Sequence, residues 1–334
     1  MTPDFYRGRR VMITGGLGFI GSNLAIRLAA LGAEVLLVDS LIPDSGGNLF
    51  NIEPVKDQVR LNVADVRQAS TMNYLVRGQD VIFNLAGQVS HIDSMRDPHT
   101  DLEINCRAQL TLLEACRHHN PGAKVVYAGT RQVYGKPEAL PVTEAHLVRP
   151  TDVNGINKAA GEYYHLLYNN VFGVRACSLR LTNVYGPRQL IRHNRQGFIG
   201  WFVRLALEGR EIQVFGDGSQ VRDFVHVDDA CDAFLRAGAS DAVNGEVYNV
   251  GGAEHWAHAD LVALLVSLAE GASFRFVDWP PEKKVIDIGS FYADSSKFMQ
   301  ATGWAPTVTL RDGLASTLAY YRAHYAVYIE GSPA

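Results

Sequence analysis

The sequence predicts an α/β fold, a doubly wound and mostly parallel sheet with helices on both faces and a smaller C-terminal α/β lobe. Two observations predict it. Through the first half, short β-rich runs ("RVMITG", "AEVLLVD", "DQVRLNV", "DVIFNLAG", "KVVYAGT", "RACSLRLTN") alternate with stretches of helical spacing, a pattern that implies right-handed crossovers between parallel strands. Across all 334 residues there is no long linker, low-complexity tract or internal repeat, so the two lobes are expected to share one continuous interface.

The first strand runs into "TGGLGFIGSNL". Gly15 allows a tight turn, Gly18 lets the backbone approach a pyrophosphate, and Gly21 lets the following helix pack closely on the sheet. The helix opens at Phe19 and Ile20, where free N–H groups and partial positive charge suit phosphates. In that helix Leu24, Leu28 and Leu31 share a face, and Gly32 suits its C-terminal cap. The second strand ends in Asp39, 18 residues past Gly21. A carboxylate there accepts ribose hydroxyls and repels a 2′-phosphate, which favours NAD over NADP. This context marks a Rossmann-type domain.

The third and fourth strands read as buried, and all of Leu102–Arg117 reads as one helix, with Ile104, Ala108, Leu112 and Ala115 on one face. A further helix covers Lys158–Asn170, with Gly173 beyond it. After Thr182 the alternation loosens into loops, a helix in "GFIGWFVRLALEG" and a short strand in "EIQVF". The expected division is residues 1–182 for the NAD-binding domain, which also receives segments near 224–252, and 183–334 mainly for the substrate lobe.

Net charge is −4 with both signs interspersed, which argues against nucleic acid or a membrane surface as partner. No apolar run approaches the roughly 18 residues of a spanning helix. The polar N-terminal stretch lacks a signal-peptide core, so a cytoplasmic protein is expected. The four cysteines show no metal spacing and sit in apolar contexts. They are expected as buried thiols, with no metal bound.

These residues are joined in order by "FNLAGQVS" at 83–90, "VVYAGTRQVYG" at 125–135, "LRLTNVYGPR" at 179–188, "VFGDGSQVRDFVHVDD" at 214–229, "YNVGG" at 248–252 and "ADSSKFMQATGWAP" at 293–306. On them the chain, from about Arg9 to about Tyr321, resembles the extended short-chain dehydrogenase/reductase family, in its NAD-dependent nucleotide-sugar epimerase/dehydratase branch. The resemblance implies that Asp65 and Val66 lie at the adenine, that Leu85, Ala86 and Gly87 line the dinucleotide, and that Asn105 sits beneath the nicotinamide ribose. It places Thr130 on the sugar oxygen that is oxidised, and Asn183 and Arg222 on the sugar-nucleotide diphosphate. Gln88, Ser90 and Gln132, with Gln213 and Phe215 near the nucleoside, complete the implied substrate contacts. It also implies a UDP-sugar or similar nucleotide-diphosphate sugar as substrate, and a homodimer pairing the 102–117 and 158–170 helices.

The chain departs from that pattern at one position. The family keeps a tyrosine four residues before its lysine, where the lysine helps the phenolate take a proton from a sugar hydroxyl. Here Lys158 is kept, able to hold the nicotinamide ribose, and Asn154 stands for the tyrosine. A carboxamide can orient a hydroxyl but has no proton equilibrium near neutral pH. Three readings stay open: another base (His91, Asp93, Tyr134 or Lys158 itself), a hydroxyl placed by Asn154 and Thr130 whose proton leaves through water, or a silent NAD and sugar-nucleotide binder.

The family's dehydratases keep an acid–base carboxylate pair directly after the threonine, whereas here Arg131 and Gln132 follow Thr130. Elimination therefore loses ground to epimerisation, expected at C4, with 2-epimerisation or dehydrogenation as alternatives. Arg131 reads first as an outward, solvated arginine, and second as a partner for a uronate carboxylate. Lys284 and Asp287, ten and seven residues before Asp294, match positions where the family has an arginine and an aspartate; lysine for arginine weakens bidentate phosphate or ribose contact, so the resemblance does not fix the nucleobase.

Overall fold

The computed structural model describes residues 3–329, so the ends of the expected division, 1–2 and 330–334, lie outside it. Its strands are β1 (Arg10–Thr14), β2 (Glu34–Asp39), β3 (Val59–Val63), β4 (Val81–Asn84), β5 (Lys124–Thr130), β6 (Arg175–Leu181), β7 (Asn183–Tyr185), β8 (Glu211–Phe215), β9 (Val221–His226), β10 (Val247–Val250), β11 (His255–Ala257) and β12 (Ser273–Val277). Seven of them form one parallel sheet in the order β10-β6-β5-β4-β1-β2-β3. Val11 of β1 pairs with Val35 of β2 on one side and Val81 of β4 on the other. The chain order reverses at β1, so a crevice opens beyond the carboxyl ends of β1 and β4.

The helices about this sheet are α1 (Phe19–Ala30), α2 (Ala69–Leu75), α3 (His91–Arg96), α4 (Pro98–Leu102), α5 (Ala108–His119), α6 (Val153–Phe172) and α8 (Val227–Ala239), whereas α7 (Phe198–Leu207) packs in the smaller lobe. Alternate strand residues feed opposite cores. Val11, Ile13 and Phe83 pack with Leu24, Leu28 and Phe234, whereas Met12, Ile82 and Val125 pack with Met72, Leu112 and Cys116. Burial on both faces explains the near-continuous apolar runs of the central strands. The third strand differs from expectation. β3 is the sheet edge and largely exposed, because only one neighbour and little helix surface cover it.

The helix expected over Leu102–Arg117 is also interrupted. A π turn at Glu103–Arg107 separates α4 from α5, with the Gln109 side chain donating to the Ile104 carbonyl at 2.9 Å. Gly161 of α6 packs on this turn, where a Cβ would lie 2.7 Å from the Asn105 carbonyl oxygen. Cys116, Cys177 and Cys231 are buried thiols, while Cys106, on the π turn, is only partly covered.

The smaller lobe holds a three-stranded sheet (β11-β9-β7) and the β12-β8 pair. Its core gathers Tyr185, Ile212, Leu261, Leu314 and Tyr321. Between them the chain returns to the large sheet through α8 and β10. Among the described residues, no helix is long and apolar enough to cross a membrane.

One buried ion pair fixes α6 to the sheet. Arg180 of β6 and Glu162 of α6 meet at 2.5 Å with side chains 4% and 1% exposed. Ser178 donates to the same carboxylate, and Arg180 donates to the Tyr134 hydroxyl, each at 2.8 Å. Removing one partner of such a pair strands the other charge, at a cost of about 3–5 kcal/mol. Glu162→Ala should therefore lower the unfolding free energy by about that amount in urea titrations, and a loss under about 1 kcal/mol would contradict the role given to this pair.

Candidate active site

A cleft of about 520 Å³ runs along the carboxyl ends of the strands from the β1–α1 turn to the start of α6. Its floor requires glycine. Gly15 has φ +69°, and a Cβ there would lie 3.0 Å from the Ala86 nitrogen. A Cβ on Gly21 would lie 2.2 Å from the Gly15 carbonyl oxygen, so α1 can approach the turn only without one. No side chain caps α1 at Gly18, which leaves the amides of Phe19 and Ile20 at the cleft to receive an anion. Asp39 also lines the cleft. Leu17 N and Leu41 N donate to its two oxygens at 3.0 and 2.9 Å, which fixes the carboxylate where a ribose would present hydroxyls. Asp65 and Val66, then Leu85, Ala86 and Gly87, complete this half. Arg67 holds the Asp65 carboxyl below its ordinary range. An uncapped helix start, a cradle that any Cβ would fill and a fixed carboxylate at the far end fit a dinucleotide.

At the other end Lys158 Nζ donates to the Ala128 carbonyl at 2.5 Å and sits 4.3 Å from the centre of the Tyr127 ring. Burial lowers its pKa to about 8, against the opposing pull of Asp101 and Glu162. Thr130 Oγ1 accepts from Gln132 N at 3.2 Å, so its O–H is left to donate into the cleft it lines.

Asn154 lies at the cleft, 3% exposed. Its amide nitrogen donates to the Gln88 carbonyl at 2.7 Å and to Asp101 Oδ2 at 3.0 Å. Both partners are pure acceptors, which settles the amide's orientation and leaves Oδ1 for a ligand donor. Asp101 is fully buried and also accepts from Asn105 Nδ2 at 3.0 Å and Asn157 Nδ2 at 2.8 Å. Three asparagine amides thus converge on one carboxylate.

Nearby, Asp152 caps α6 by accepting from Gly155 N at 2.7 Å, and Gln132 Nε2 donates to its other oxygen at 2.8 Å. His91 Nδ1 lies 3.0 Å from that same oxygen. Asp152 was not singled out in the sequence; the signal that finds it is its position, an Asp directly before a helix start. Of the other candidate bases, Asp93 pairs with Arg195 at 3.3 Å. Tyr134 is fully buried, holds Asn249 at 2.7 Å, and is pushed up to about 12 by burial.

The structure corrects several expected site residues. Arg131 is not outward and solvated. It lines the cleft, its Nη2 reaches Asn183 Oδ1 at 3.3 Å, and its Nη1 is buried without a partner among the described residues. Arg222 is buried nearby, donating to the Val221 and Gly289 carbonyls with Asp287 at 3.8 Å. Burial, then the charge of Arg131, lowers its pKa to about 9. Two guanidiniums and an orphaned N–H suit a multiply charged anion. Asn105 does not open beneath a ribose: it is fully buried and spends its amide on Gln88 and Asp101, because the π turn aims it inward. Ser90 is buried, and its hydroxyl caps α3 through Asp93 N. Gln88 lines the cleft. Gln213, Phe215 and Lys284 are not among the residues lining it: Gln213 is exposed on β8, the Phe215 and Trp279 rings are 5.3 Å apart, and Lys284 Nζ is 4.9 Å from the indole. Asp287 accepts from Gln220 at 2.7 Å.

Comparison with known proteins agrees with this geometry. The model of the NAD dependent epimerase/dehydratase family matches residues 11–251. A UDP-glucose 4-epimerase of Mycolicibacterium smegmatis is 35% identical over 314 residues, covering 94% of this chain and 98% of that one. The dTDP-glucose 4,6-dehydratase DesIV of Streptomyces venezuelae, solved with NAD bound, superposes with a TM-score of 0.86 at 30% identity, over 96% of this chain and 99% of that one. A UDP-glucuronic acid 4-epimerase of Bacillus cereus, solved with UDP-glucuronic acid and NAD, gives 0.84 at 28% identity, over 95% and 100%.

An unsatisfied buried polar group costs about 1–3 kcal/mol, and Asp101→Ala would leave three amides short of an acceptor. Its unfolding free energy should drop by about 3 kcal/mol or more in urea titrations. A drop below about 1 kcal/mol would show that water replaces the carboxylate freely.

Proposed function

The chain belongs to the NAD dependent epimerase/dehydratase family, and from that premise we propose that it epimerises a nucleotide-diphosphate sugar, a UDP-sugar, at C4. The observation that carries this reading is the pair after Thr130. Arg131 turns toward Asn183, and Gln132 is buried against Asp152, so neither acts as the acid or base that expels a hydroxyl from the sugar. Oxidation and re-reduction at one carbon need no such pair.

NAD bound in the cleft would accept a hydride from the sugar carbon and return it, with no net redox change. Gly15, Gly18, Gly21 and the α1 amides would hold its pyrophosphate, Asp39 its adenosine ribose, and Lys158 its nicotinamide ribose. Thr130 donates to the reacting sugar oxygen, and Asn154 Oδ1 accepts from a sugar hydroxyl as a non-titrating guide. Arg131, Arg222 and Asn183 receive the diphosphate, and the orphaned Nη1 of Arg131 also suits a carboxylate on the sugar. The M. smegmatis relative, named a UDP-glucose 4-epimerase, supports the choice of carbon and nucleotide. A homodimer belongs to the same proposal. Ile156, Tyr163, Leu167 and Val171 form an exposed apolar stripe along α6, of the kind two copies cover by packing together.

The test is a panel of UDP-, GDP-, CDP- and dTDP-sugars, uronates included, added to NAD-loaded protein. Absorbance at ~340 nm should rise transiently as hydride reaches the nicotinamide, and proton NMR should show the C4 epimer of a UDP-sugar accumulating. Sugars that raise the melting temperature with neither signal would replace this reading with a binding protein.

A further inference from the structure

We propose that His91 and Asp152 form the acid–base dyad of this site, with His91 Nε2 taking the proton of the reacting sugar hydroxyl and giving it back, and Asp152 fixing the imidazole. The proposal rests on the epimerase reading above and supplies the proton-transfer group that Asn154 cannot be.

The fold brings the two residues together from distant parts of the chain. His91 is the first residue of α3, and Asp152 caps α6. The two helix starts are tied by Asn154 N donating to Ser94 Oγ at 3.2 Å. His91 Nδ1 is shut from solvent and lies 3.0 Å from Asp152 Oδ2. The contact is off the ideal line of a hydrogen bond, as acid–base pairs without ligand often are. The Asp152 side chain is 0% exposed, whereas 39% of the His91 side chain is open, and His91 lines the same cleft as Thr130, Asn154 and Lys158.

The donors around Asp152 decide which imidazole nitrogen carries the proton. Burial raises the Asp152 carboxyl, but His91, Gly155 N and Gln132 together hold it below its ordinary range. An ionised carboxylate only accepts, so Nδ1 must carry the hydrogen and Nε2 must present a lone pair. An imidazole so fixed needs no neighbouring lysine to become a base, unlike a phenol. The site can therefore keep Lys158 for the cofactor and dispense with the tyrosine.

The proton balance closes. When the sugar alcohol becomes a ketone, its C–H leaves as hydride to NAD and its O–H proton moves to His91 Nε2, giving an imidazolium beside the Asp152 carboxylate. When hydride returns to the other face, the same proton goes back to the oxygen. Asp152 stays ionised throughout and acts as a positioning residue.

The experiment combines a tautomer measurement with kinetics. Protein labelled with ¹⁵N-histidine is assigned by comparison with His91→Gln, and long-range ¹⁵N–¹H correlations report which nitrogen of His91 is protonated. Wild type should carry the proton on Nδ1. Asp152→Asn keeps a good cap for α6, but its amide oxygen stays with Gly155 N and its NH₂ faces His91, so the proton should move to Nε2. On the sugar identified above, His91→Gln and Asp152→Asn should each lower kcat about 10³-fold, with KM and the NAD dissociation constant unchanged within about twofold, and added imidazole should rescue His91→Ala. A wild-type proton on Nε2, or a His91→Gln kcat within about threefold of wild type, overturns the dyad. If the wild type turns over no nucleotide sugar, the epimerase reading fails separately, and the tautomer result alone supports or overturns the dyad.

Discussion

The site depends on one buried carboxylate. Asp101 has no exposed surface and accepts from the amides of Asn105, Asn154 and Asn157. It thereby joins α4, the π turn and the first turn of α6. A buried network of this kind is stable when every member is satisfied and costly when one is not. Asn154 therefore has a defined place: its two N–H bonds go to Asp101 and to the Gln88 carbonyl at the lip of the cleft. The asparagine is held by this network, and its carboxamide has no proton equilibrium near neutral pH.

The same network arranges the charges. Glu162, bound to Arg180, and Asp101 both sit close enough to Lys158 to favour its ammonium, while burial lowers its pKa to about 8. The lysine is held by Ala128 and Tyr127 on β5, between the glycine turn of the cleft and the start of α6. Farther out, Arg131 lies close enough to Arg222 to add to the depression that burial causes there, an arrangement a diphosphate would relieve. Positive groups thus stand at two places along the cleft, Lys158 at β5 and Arg131 beside Asn183, while the Asp152 carboxylate is held at the start of α6.

What was legible in the sequence was what short range determines. Gly15, Gly18, Gly21 and Asp39 belong to one β–α–β unit, so spacing alone placed them, and buried strands β1, β2, β4, β5 and β6 showed in their apolar runs. The edge strand β3 did not announce its exposure, since apolar residues also stand at edges. The π turn was hidden because its pattern, Ile104 to Ala108 to Leu112, is that of a regular helix; the bond from Gln109 to the Ile104 carbonyl that accompanies the turn leaves no mark in the apolar spacing. Ser90 and Asn105 have site-like motifs but spend their polar atoms on caps and turns. Arg131 became interior only through contacts with Asn183 and Phe291, far along the chain. Asp152 is locally recognisable as a helix cap, but the partners that Asp101 and Asp152 meet at Asn154 and His91 lie 53 and 61 residues away, which no local pattern encodes.

The central claim is that this chain keeps the cofactor and substrate sites while moving proton transfer away from position 154. Asn154→Tyr tests it most directly, because the ring would restore the family's usual catalyst while breaking the bonds to Asp101 and Gln88. The measurement is the single-turnover rate of the folded, NAD-loaded variant with its sugar nucleotide, beside its melting temperature. A site rebuilt around asparagine predicts a rate at least about tenfold below wild type and a lower melting temperature. A variant that melts no lower and turns over faster than wild type would contradict it.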